Sequence, residues 1–372
     1  MKINIINDKE MKKLSILPLA ALLMLGACSD DTPDITIPDK PVQTQQPVAD
    51  NVTLNVPKQT SPKFTADGSL YMFDYENGQQ IVYSMTTTGA GQRVAVVKKI
   101  LGKASEVTIP YTVEGMIADN QTAQWDVVGI DLYTEAVAPN VTKITLPKTC
   151  STYLYKDAYV AVGAQQMREL VARAYSVAAI ELEDGYPGFV SINGAIYTQN
   201  MKSLVAVPRA FKGEFTVASG TETIQEKAFD HCSLIDIVTL PASVKAIGSE
   251  AMTFAESLLV VNILADEAPT AYVDTFGNYL TTNGVLRIKK GTKASYEVAK
   301  PTLEKPVAPV EPASPDMDAT QEEWDQYDAD MEEYNKRLDE YTTLKEAYDA
   351  AWEAYKAKEG YKNFSKIEER DF

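Results

Sequence analysis

FTVASGTETIQEKAFDHCSLIDI (residues 215–237) runs directly into VTLPASVKAIGSEAMTFAESLLV (residues 238–260). Laid over one another, these two 23-residue stretches superpose Val217 on Leu240, Ile224 on Ile247, Ala228 on Ala251, Phe229 on Met252, Cys232 on Ala255 and Ile235 on Leu258. A repeat of about 20–29 residues that keeps its apolar positions implies stacked coils, none of which buries its apolar side alone. The repeat therefore predicts a solenoid, an architecture that binds far more often than it catalyses.

Working outward, one spacing recurs: apolar, two residues, apolar, one residue, apolar. It appears at Val141, Ile144 and Leu146; at Val177, Ile180 and Leu182; at Ile235, Val238 and Leu240; and at Leu258, Val261 and Ile263, with a less complete copy at Ala104, Val107 and Ile109. Each set reads as a short strand with an inward side, as in leucine-rich repeats. Three of these strands end in proline, at Pro110, Pro147 and Pro241. Proline has no ladder donor, so it marks where the strand leaves the sheet. Upstream, β-rich runs separated by turn residues from Ser69 to Ile100 predict strands capping the first coil. In AQQMRELVARAYSV, residues 164–177, Met167, Leu170, Val171 and Ala174 share one helical face, so that coil is expected to carry a helix.

In VTLPASVKAIGSEAM, FTVASGTETIQEKAFDHCSL and GAIYTQNMKSLVAVP the chain resembles the BspA-type (Treponema-type) leucine-rich-repeat surface lipoproteins of Bacteroidetes-like bacteria. The pattern falls on Leu240-Pro241, Val244, Ile247-Gly248, Ala251-Met252 and Ala255, and on Ala228, Phe229 and Cys232 in the coil before; Met252 stands where the pattern has an aromatic. The likeness covers residues 104–299 and implies a β-rich, right-handed solenoid of short parallel strands that acts as a surface binding module. GVLRIKKGTKASYEVAK resembles the strand and turn that end such solenoids. Their usual continuation arrives about sixty residues late, as Tyr361, Phe364, Ile367 and Glu368, which makes residues 301–359 an insertion into the cap.

The N-terminus gives the address. Lys12 and Lys13, the apolar LSILPLAALLML and the small residues before Cys28 form a secretory signal. Leu25, Gly26 and Ala27 before Cys28 resemble a bacterial lipobox, and SDDTPD after it resembles the surface-export signal of Bacteroidetes-type lipoproteins. These likenesses imply lipidation of Cys28 and an outer-membrane lipoprotein facing the cell exterior. The chain carries a formal charge of -17, nearer -19 without residues 1–27, whose four Lys outnumber Asp8 and Glu10. Nucleic acid and anionic membrane surfaces are poor partners for such a chain. Cys150 and Cys232 lie several coils apart, so two buried thiols are expected rather than a disulfide.

The insertion has two unlike halves. Pro306, Pro309, Pro312 and Pro315 recur at the three-residue turn of polyproline II. From Thr320, Trp324, Tyr327, Met331, Tyr334, Leu338, Tyr341, Tyr348, Trp352 and Tyr355 follow a heptad on a long helix, with Lys345 the polar member. Sixteen polyproline residues reach ~50 Å and the helix from Trp324 to Tyr355 reaches ~48 Å. An outgoing proline arm and a returning helix of equal length are expected to pack, prolines between tyrosines. The pattern resembles the alanine-rich and proline-rich stalk of streptococcal antigen I/II proteins in miniature. The competing reading is a coiled coil with a second copy.

The layout expected is thus a signal (1–27), a flexible tether (28–65), an N-terminal β cap (66–103), the solenoid (104–300), the insertion (301–359) and the end of the cap (360–372). Enzymatic readings find little purchase. His231 is the sole histidine and sits at a repeat corner, no Gly-rich phosphate loop occurs, and neither cofactor nor metal site is indicated. The outward lane between the inward positions should hold Thr142, Lys143 and Thr145; Ala178, Ala179 and Glu181; Asp236, Ile237 and Thr239; and Leu259, Val260 and Asn262. Ile237, Leu259 and Val260 are expected to form an apolar patch with a polar border, suited to an extracellular protein. A glycan held on arm aromatics, and a structural role for the arm as spacer or dimerisation strut in the envelope, are the other readings.

Overall fold

A computed structural model describes residues 48–64, 70–118, 121–155, 158–297 and 299–372. The signal segment and Cys28 lie outside the described residues.

The protein is a β-rich solenoid of leucine-rich-repeat type with one long C-terminal helix. Its first parallel ladder joins Glu106–Thr108, Lys143–Leu146 and Ala179–Leu182, with Val107, Ile144 and Ile180 in register. A second joins Gly213–Thr216, Ile235–Leu240, Val260–Ile263, Val285–Lys289 and Ile367–Arg370. On the return side of the coils, Ser203–Ala206, Thr223–Ile224, Ala246–Ile247 and Thr270–Ala271 form another parallel row. Between the two rows the repeat's apolar positions stack as one core: Val238 with Val261 and Leu286, Ile224 with Ile247 and Ala271, Phe229 with Met252 and Phe276. Pro147 and Pro241 end their strands as the spacing predicts. Each carbonyl then accepts from the residue three on, Cys150 N–H at 2.9 Å and Val244 N–H at 3.1 Å, closing a turn.

Cys150 and Cys232 are buried, unpaired thiols, and burial pushes both pKa values up. Helix α1, Ala164–Arg173, buries Met167, Leu170 and Val171. Helix α2, Asn278–Asn283, fills the last coil with Leu280.

Two boundaries differ from expectation. The capping sheet does not stop at residue 103: Arg93–Gly102 pairs in parallel with Gln121–Ile130, which pairs with Thr152–Tyr155. The cap's last strand offers an open edge, and the return sides of the first coils fill it. The expected tether is also folded over its second half. Gln59–Phe64 is an antiparallel partner of Tyr71–Tyr75. Asp50 docks on the hairpin turn Asn193-Gly194, its carboxylate accepting both main-chain N–H groups at 3.1 and 3.3 Å. Asn193 and Gly194 both have positive φ, 52° and 76°, which turns successive N–H groups outward as an anion-accepting nest.

The ladder is interrupted in sequence, not in space, by the insertion: Leu286 faces Ile367 directly. Helix α3, Gln321–Lys356, starts at a capping box in which Thr320 Oγ1 accepts from Glu323 N–H and Glu323 accepts from Thr320 N–H. The Thr320 backbone N–H and then its hydroxyl hold the Glu323 carboxyl below its ordinary pKa. The helix ends welded to the last coil. Ala357 O accepts from Ala271 N–H at 2.8 Å, Lys358 donates to Ala268 O and Pro269 O, and Tyr361 OH donates to Pro269 O at 3.0 Å. Tyr361 and Phe364 then close the core against Phe276.

Candidate binding surfaces

The outward lane of the first ladder is polar and tied together. Lys143 Nζ reaches Glu106 Oε2 at 2.7 Å and Glu181 Oε1 at 3.7 Å. The bond to Glu106 is the main reason the Lys143 pKa is raised. Thr145 Oγ1 lies 3.3 Å from Glu181 Oε2, while Thr142 is exposed and bonds Ser105 O at 3.2 Å. Ala178 and Ala179 are half-buried. At the lane's end Glu183 accepts from Tyr111 OH and from Lys148 N–H. Burial works against the Glu183 anion, but those bonds and the Lys148 ammonium prevail and hold its pKa low.

The second ladder corrects the expected apolar patch. Val260 is only 1% exposed, Thr239 1% and Asn262 5%; Ile237 and Leu259 are half-buried, and Asp236 alone of the set stands open. The reason is register. Val260 sits between Ile237 and Val285, and Asn262 between Thr239 and Arg287, so a strand with partners on both sides has its outward side chains covered by theirs. What remains is a polar row: Asn262 Nδ2 donates to Thr239 Oγ1 at 2.9 Å, and Arg287 Nε lies 3.6 Å from Glu368 Oε2. Glu368 also meets Lys366 at 2.6 Å and Arg370 at 2.9 Å; Lys366 contributes most to its lowered pKa. Arg287 and Glu368 in this lane, and Glu106 in that of the first ladder, escaped the sequence reading. The signal was present in VLRIK, where Arg287 alternates with inward Leu286 and Ile288.

On the arm, Tyr327, Met331, Tyr334, Leu338, Tyr341, Tyr348, Ala351 and Trp352 are half-buried, Tyr355 is buried, and the rest of α3 is exposed, Trp324 and Lys345 included. From residue 301 to 318 only Pro301, Pro306, Pro309, Pro312 and Pro315 are half-buried. At the root, Lys300 Nζ stands 5.5 Å from the Trp352 ring centroid and Lys362 Nζ 3.5 Å from that of Tyr355.

His231 bonds Asp230 at 2.8 Å and stacks on Phe254, the equivalent corner residue of the next coil, with centroids 5.0 Å apart. Its neighbour Cys232 points into the core towards Val207 O, so these two do not form a nucleophile–base pair. Among the described residues no group of three or more His, Cys, Asp or Glu is placed to hold a metal ion, and no helix is long and apolar enough to cross a membrane.

No family model and no curated protein matches the chain. Solved structures similar to it include a leucine-rich-repeat protein from Eubacterium ventriosum, with 19% identity and a TM-score of 0.28 over 43% of this chain and 49% of that one. Another from Bacteroides ovatus shows 17% identity and a TM-score of 0.26 over 57% and 54%. A leucine-rich cell surface protein from Faecalibacterium prausnitzii shows 14% and 0.23 over 63% and 90%. The chain thus spans about half the length of the first two.

Proposed function

We propose that this chain is a cell-surface binding module of the BspA type, anchored in the outer membrane by lipid on Cys28, whose strand face captures an extracellular protein or glycan. The observation that supports it most is the ordered polar lane. Lys143 bridges Glu106 and Glu181 across three coils, so side chains that would otherwise lose freedom on binding are already held, which lowers the cost of association. Two experiments test the reading together. Protease shaving of intact cells should remove the protein while a periplasmic control survives. A protein and glycan array probed with the full chain should give a signal that Lys143→Glu abolishes. Survival of the protein in shaved cells, or a signal indifferent to Lys143→Glu, overturns the reading.

The matched half-burial of arm tyrosines and arm prolines supports a second role. The proline segment covers the aromatic face of α3, making a one-chain spacer instead of a coiled coil with another copy. A monomer by light scattering agrees with this; a dimer lost on deletion of 301–359 restores the dimerisation strut.

A further inference from the structure

Corners of successive coils abut through their main chains. Lys227 N–H donates to Ser249 O, Phe229 N–H to Ala251 O and Met252 N–H to Thr275 O. Gly248 permits the first contact, because a Cβ there would lie 2.5 Å from Glu226 N. The corner that opens the series, residues 225–230, meets on its other side both the turn that follows Ser203–Ala206, where Val207 N–H donates to Ala228 O at 2.8 Å and Arg209 pairs with Asp230 at 2.7 Å, and helix α1. On the α1 side the repeat position of Gly248 holds Gln225, whose Oε1 accepts from Arg168 Nη1 at 3.1 Å. At this seam a cleft of about 500 Å³ opens, within the size range of small-ligand sites.

The floor is small and apolar: Val171, Ala172, Ala206, Val207 and Ala228. The walls carry both signs, Arg168 and Lys227 against Glu169, Glu226 and Asp230; Asp230 is taken by Arg209 at 2.7 Å and Glu169 accepts from Gln165 at 3.1 Å. Arg168, half-buried, spends one guanidinium N–H on Gln225 and keeps others for a carboxylate. Glu226, on the same lining, is exposed, and the cation beside it, Lys227, is 3.7 Å away and paired more closely with Glu250 at 3.0 Å. The Glu226 carbonyl is also open. Its equivalent Ser249 O, its neighbour Ala228 O and that neighbour's equivalent Ala251 O all accept main-chain N–H groups, whereas Glu226 O takes none among the described residues. An acceptor carbonyl beside a carboxylate suits an ammonium group.

We infer that this seam binds a short peptide with free ends: its carboxylate on Arg168, its ammonium on Glu226, and a small side chain on the floor. The site is separate from the strand face, and its test does not depend on that reading. The probe is alanyl-alanine, titrated calorimetrically into the full chain, with N-acetyl-alanyl-alanine amide and N-acetylglucosamine alongside. Saturable one-site binding of the free dipeptide is expected. It should weaken about tenfold or more in Arg168→Ala, since a lost charge-assisted pair exceeds the 1.4 kcal/mol of one decade, and equally for the blocked dipeptide. Ala172→Trp, which fills the floor and leaves both charges in place, should abolish it with the melting temperature retained, a control should Arg168→Ala disturb α1. No saturable binding of the free dipeptide, equal binding of the blocked one, indifference to both substitutions, or saturation by the sugar instead would each overturn the assignment.

Discussion

Gly248→Ala isolates the contact that stacks one coil on the next. The added Cβ would meet Glu226 N at 2.5 Å, Gln225 C at 2.9 Å and Glu226 Cα at 2.9 Å. All three are main-chain atoms of the preceding corner, so no rotamer change relieves the clash and the corners must part. Overpacking of this kind costs about 1–3 kcal/mol. Stiffening of the unfolded chain by Gly→Ala returns about 0.4–1 kcal/mol, leaving a net loss centred on about 1.3 kcal/mol and at most about 2.6 kcal/mol. For a chain of this size that lowers the melting temperature by a few degrees, at roughly 2–4 °C per kcal/mol. Calorimetry reads the global effect. Amide exchange at Lys227 and Phe229, whose N–H groups bond Ser249 O and Ala251 O, reads the local one and should quicken first. Gly89→Ala is the control, since nothing lies within 4 Å of a Cβ there. If Gly248→Ala melts with the parent and leaves both amides protected, close approach of corners is not what specifies the Ile-Gly pair.

Asp50→Ala removes the acceptor of two turn N–H groups and should cost about 1–2 kcal/mol, read as faster exchange at Asn193 and Gly194; unchanged exchange would mean that the Asn193-Gly194 turn does not depend on the Asp50 carboxylate. Glu183, with its pKa lowered from 4.5, contributes stability that is present above that value and fades as pH falls through the lower folded-state pKa. The advantage of the parent over Glu183→Gln should therefore be flat from about pH 7 to about 5 and vanish in stronger acid; an advantage that survives at about pH 2 contradicts the sign. Replacing 301–359 by a short glycine linker should leave one cooperative melting transition, because Leu286 and Ile367 pair without the arm; loss of cooperativity would make the arm part of the core.

The coil spacing was legible because inward apolar positions answer to one rule, burial against the stacked neighbour, which repeats every 23 residues at Ile224, Ile247 and their kin. The helical face of Met167, Leu170 and Val171 was legible for the same reason. Val260 was misread because spacing gives the side of the sheet a residue occupies, while its exposure depends on what flanks it, and its neighbours Ile237 and Val285 are set by register. Asp50 was out of reach: its partner Gly194 is 144 residues away, and nothing local marks an aspartate as the lid of a distant turn. The seam did leave a trace, Gln225 where the next coil has Gly248, which gains meaning only once α1 is known to lie beside it.

Because both ends of the arm return to one place, Lys300 beside Trp352 and Ala357 bonded to Ala271, the joint between residues 289 and 367 behaves as a socket. Its contents can change length in steps. One heptad of helix adds about 10.5 Å and one proline triplet about 9.3 Å, so matched insertions differ by little more than 1 Å per step. Loop-closure cost grows only as the logarithm of length, and the proposed packing of prolines on α3 would keep even that from the cap. A solenoid built this way can set how far its tip stands from the coils without redesigning any of them.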